Sequence, residues 1–65
     1  MRERAQTYLT QGWTVKAAAV MLKAVAADPC AENLNLLADV YMAQGLFEDA
    51  KQLYLKAAIL GIQKA

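Results

Sequence analysis

Apolar residues recur along this chain at helical spacing, and glycine, threonine and proline divide the recurrence into four pieces. Over residues 2–11, Ala5, Tyr8 and Leu9 share one side, and Gly12 follows as a residue suited to leaving a helix. Residues 15–27 present Ala17, Val20, Met21, Ala24 and Val25 on one face. The Thr14 hydroxyl stands where it can cap the free amides of that segment, and Asp28-Pro29 ends it, because proline disfavours helical geometry in the residue before it. Residues 32–43 carry Leu34, Leu37, Ala38 and Tyr41 up to Gly45. Residues 47–60 carry Ala50, Leu53, Tyr54, Ala57 and Leu60 and are expected to stop before Gly61. Glu48 and Asp49 in the first turn and Lys56 near the end complement the dipole of that last helix. No stretch alternates with period two, so no strand is predicted. The loops are short, which makes neighbouring helices antiparallel: two helical hairpins joined at residues 28–31.

The two hairpins are copies. From Leu34 the chain reads Leu34-x2-Leu37-Ala38-x2-Tyr41-x8-Ala50-x3-Tyr54-x2-Ala57, and 33 residues earlier Met1-x2-Arg4-Ala5-x2-Tyr8-x8-Ala17-x3-Met21-x2-Ala24-x4-Pro29. Gly12 matches Gly45, and Lys23 matches Lys56. The alanines at matched positions mark where backbones approach closely, and a larger side chain there costs about 1–3 kcal/mol. Tyr8, Tyr41 and Tyr54 are the large partners beside them. Units that repeat at one offset stack into a binding surface rather than enclosing an active site.

Composition narrows the function. At 65 residues the chain holds one small core, and 58% of it is hydrophobic. That exceeds the roughly 45–50% usual for a soluble domain, and excess apolar surface on a small chain commonly ends against another molecule. The single cysteine, Cys30, cannot form an internal disulfide, and the chain has no histidine for a metal site or a proton shuttle. Neither a cofactor nor catalysis is expected, since no glycine-rich phosphate loop occurs. Seven basic and six acidic side chains are interspersed, so no concentrated basic face invites nucleic acid. The richest apolar stretch, residues 17–27, is interrupted by Lys23 and falls short of the about 20 residues a membrane span needs. Met1-Arg2-Glu3-Arg4 is followed by no apolar signal core, so a cytoplasmic setting is expected.

The repeated frame resembles the tetratricopeptide repeat, whose signature runs large residue, Leu-Gly/Ala, Tyr, Gly, Ala, aromatic, Ala and a closing Pro. Residues 31–64 match at nearly every slot, with Leu34 in place of the usual Trp and Ile62 in place of the usual Pro. Residues 1–30 match less well: Arg4 stands where a leucine is usual, and Met21 where an aromatic is. The resemblance implies an all-α fold, two tandem helix-turn-helix hairpins forming a right-handed α-solenoid fragment. It also implies one domain over residues 1–65, with a shortened first repeat at 1–30 and a second at 31–65. Trp13 is expected to do in the first copy the packing that Phe47 does in the second.

In such arrays the first helix of each hairpin lines a concave groove for a peptide or partner helix. The resemblance assigns that groove to Arg2, Gln6 and Leu9 from the first copy, and to Asn35, Leu36, Asp39 and Met42 from the second. One sub-type clamps a C-terminal carboxylate with lysine and asparagine; Arg2 and Asn35 imitate two of those groups, but Asp39 would repel the ligand. The last helix leaves Leu55, Ile59, Leu60 and Ile62 at an open end, so self-association or membership of a longer array is expected. The function implied is protein–protein interaction, as scaffold, assembly subunit or chaperone-like adaptor. A helix-turn-helix nucleic-acid binder is the alternative, weakened because only Lys16 and Lys23, or Lys51 and Lys56, lie on each second helix.

Overall fold

A computed structural model describes the backbone of residues 2–64 and the side chains of residues 3–62. Four helices follow one another: α1 (Arg2–Thr10), α2 (Thr14–Ala27), α3 (Ala31–Ala43) and α4 (Phe47–Lys64). α1 packs on α2 and α3 on α4 as hairpins, and the hairpins stack by laying α3 against α2, with α1 also touching α3. The stack measures 34 × 23 × 17 Å.

The matched alanines sit where close approach requires them. Ala5, Ala17, Ala38 and Ala50 are fully buried, with Ala24 4% and Ala57 3% exposed. Around them the core gathers Met21, Leu36, Leu37 and Val40, with Tyr8, Leu9, Val20, Val25, Tyr41 and Leu53 packed on its edge. The core is thus mostly the seam between the two hairpins rather than the interior of either one.

Both reversals are the same backbone device. Gly12 and Gly45 take φ of 80° and 79°, the left-handed region that glycine enters freely. The Trp13 amide donates to the Tyr8 carbonyl at 2.8 Å, and the Leu46 amide to the Tyr41 carbonyl at 2.9 Å. Each bond spans five residues and closes the preceding helix in a Schellman arrangement. In the first hairpin a ring contact accompanies it, Tyr8 to Trp13 at 5.8 Å between centroids.

Three expectations are corrected here. Thr14 does not cap α2: it is the first helical residue, and Trp13 occupies the cap position without a side-chain bond. The chain leaves the turn already bonded through its backbone, since the Ala17 amide donates to the Trp13 carbonyl. Phe47 packs little, being 62% exposed, and the turn residue that corresponds to Trp13 is Leu46. Finally, α4 does not stop before Gly61 but runs on to Lys64. A glycine inside a helix costs about 1 kcal/mol against alanine, which its neighbours in an already nucleated helix offset.

The link at residues 28–30 has a lock that periodicity does not reveal. Asn33, 7% exposed, is the one buried polar residue among the described residues. Its Nδ2 donates to the Asp28 carbonyl at 2.8 Å and more weakly to the Ala24 carbonyl at 3.4 Å. It therefore satisfies the carbonyl end of α2 from the first turn of α3 and fixes how the second hairpin leaves the first. Replacing Asn33 by alanine is expected to lower the unfolding free energy by about 0.5–1.5 kcal/mol, read from a urea titration, because the Asp28 and Ala24 carbonyls lose a second donor while keeping the Cys30 and Asp28 amides.

Candidate interaction face

The residues assigned to the groove divide once the packing is known. Gln6 on α1 and Asn35 and Asp39 on α3 are exposed, and Met42 is 44% exposed. Leu9 is half-buried, its inner side against the core and its outer side available. The 33-residue offset matches Gln6 with Asp39 and Leu9 with Met42, one of each on α1 and the other on α3, and these two helices touch. The Arg2 side chain lies outside the described residues. Leu36 does not belong to this face. It is 6% exposed and sits in the core cluster with Met21, Leu37 and Val40. The reason is geometric: α3 must bury one side against α4 and another against α2, so its apolar arc is wider than the signature positions alone suggest.

Tyr54 adds a residue to the edge of this face that the sequence assigned only to space filling. From α4 its hydroxyl donates a hydrogen bond to Asp39 Oδ1. That bond, with some burial and the Asp39 charge, raises the Tyr54 pKa above its ordinary value, because ionising the phenol would set two anions side by side. The sign follows: the contact's stabilisation is present below the ordinary tyrosine pKa and is lost as pH rises through the raised one. Asp39 is thereby oriented rather than free to rotate.

At the turns the first hairpin shows Trp13, 49% exposed, with the Lys16 ammonium 4.8 Å from its ring centre. Trp13 therefore covers the reversal and holds a cation, rather than filling the core. Cys30 is a free, half-buried thiol at the junction. The end residues also divide. Leu55, Ile59 and Ile62 are 50%, 55% and 76% exposed, whereas Leu60 is half-buried. With Val25, Pro29, Leu34, Lys56 and Ile59, Leu60 lines a groove of about 400 Å3.

Among the described residues no helix is long and apolar enough to cross a membrane, and no three acidic, cysteine or histidine side chains gather as metal ligands. The arrangement defines a class: tandem αα-hairpins that bury a shared seam and present helix faces. Residues 31–58, the second hairpin, match the tetratricopeptide repeat family. That family is a non-catalytic repeat module whose general role is protein–protein interaction. Comparison with curated proteins and with solved structures gave no match.

Proposed function

We propose that the face shared by α1 and α3 receives a peptide or partner helix, so that the protein works as an adaptor or scaffold, in the manner of a small chaperone. The observation that carries this reading is an apolar spot inside a polar rim. Met42 and the outer side of Leu9 supply adaptable apolar contact, and Gln6, Asn35 and the oriented Asp39 surround them with donors and acceptors. Asp39 selects against a carboxylate placed beside it and favours a partner carrying a basic or amide group there.

Selection of displayed peptides on the natural chain, followed by titration with Met42→Glu and Asp39→Asn, tests this. Peptides bound at this face should lose at least about tenfold in affinity to Met42→Glu, roughly 1.4 kcal/mol. Peptides that bind both variants as well as the natural chain would place the binding surface elsewhere and overturn the reading.

A further inference from the structure

Asp39 presents its two carboxylate oxygens unequally. Oδ1 accepts the Tyr54 hydroxyl from α4, whereas Oδ2 has no partner among the described residues. No basic side chain among them pairs with Asp39 either, and that includes Lys51, one turn before Tyr54 on α4. Glu32, two turns back on α3, has a contact of its own and adds to the negative charge of this helix. The charge at Asp39 is left for a cation from outside the chain to answer.

What surrounds Oδ2 follows from helical spacing. Asn35 lies four residues before Asp39 and Met42 three after, so the three side chains leave one stripe of α3, and all are exposed. An ammonium seated on Oδ2 has donors left over, and the Asn35 amide oxygen, one turn away, accepts one of them. The carbon stem leading to that ammonium lies over Met42, whose flexible thioether follows an alkyl chain. A guanidinium fits less well. Its advantage over an ammonium is two parallel bonds, one to each carboxylate oxygen. At Asp39 the second of these must compete with the Tyr54 phenol for Oδ1.

We infer that this face recognises a lysine side chain of its partner in preference to arginine, and that Tyr54 is the positioning residue that sets the preference. The ammonium lies between Asp39 Oδ2 and the Asn35 amide oxygen, with its stem along Met42. The inference rests on the α1/α3 face being the binding surface, and it narrows what that face accepts from a basic or amide group to one kind of cation.

Short random peptides displayed on phage are the probe. Those retained by the natural chain and weakened about threefold or more by Met42→Ser are ligands of this face. Serine removes the apolar contact without setting a charge beside the ammonium. Each such peptide is synthesised with its basic position as lysine, arginine or norleucine, and titrated against the natural chain, Asp39→Asn and Tyr54→Phe. On the natural chain the arginine form should bind about threefold or more weakly than the lysine form, and the norleucine form about tenfold or more weakly. Tyr54→Phe should bring arginine level with lysine, because Oδ1 is freed. Asp39→Asn should remove the advantage of either cation over norleucine. General damage to the α3–α4 hairpin weakens every form alike and leaves these ratios unmoved, and circular dichroism should show both variants helical. Peptides indifferent to Met42→Ser bind elsewhere and overturn both the face and this inference. Peptides that depend on Met42 but show no lysine preference, or an arginine penalty that persists in Tyr54→Phe, leave the face standing and overturn this inference alone.

Discussion

Replacing Leu36 by glutamate should unfold this protein, while the same change at Met42 should leave it folded. Both residues are apolar and lie six positions apart on α3, and the signature pattern puts neither on the packing face. Leu36 is 6% exposed in a core shared with Met21, Leu37 and Val40; Met42 is 44% exposed. A carboxylate at Leu36 would either be buried without a partner or force the hairpins apart. Either outcome costs several kcal/mol, against a total of about 3–10 kcal/mol for a domain of this size. Circular dichroism and thermal unfolding of the two variants check the expectation. Equal loss of helicity in both, or in neither, would mean that the seam between hairpins lies elsewhere.

The second large effect concerns the small residues. Ala38 is fully buried in α3, on the side where the signature calls for a small residue. Ala38→Leu should raise crowding across the α3–α4 hairpin and lower stability by about 1–3 kcal/mol, as overpacking does in a close-packed core. Ala43→Leu, at an exposed position near the end of the same helix, should stay within about 0.5 kcal/mol of the natural chain. Urea unfolding of both proteins measures the difference. Comparable midpoints would show that the hairpin does not depend on backbone proximity at Ala38.

Much of the architecture is legible before any coordinates. The 33-residue offset, the two glycines and the matched alanines carry it, because each reports a local necessity: a left-handed backbone, or contact between rods. The features that escape are those decided between hairpins. Leu36 reads as a groove residue until α2 is seen against it. Asn33 reads as an ordinary polar residue, yet its amide holds the end of another helix five and nine positions back. Gly61 looks like a terminator and is not, since termination depends on φ and not on residue type alone. On the candidate face the register of Gln6, Leu9, Asp39 and Met42 was readable from the offset. The Tyr54 bond to Asp39 was not, because it crosses between helices.

The paired glycine reversals have one more outcome. Since the backbone itself ties each bend to the carbonyl of a tyrosine, that bond does not depend on which side chain follows the glycine, and the chain fills those slots with Trp13 in one copy and Leu46 in the other. The bend thus leaves its side chain open to a second use, which in the first copy is the ring contact from Trp13 to Tyr8.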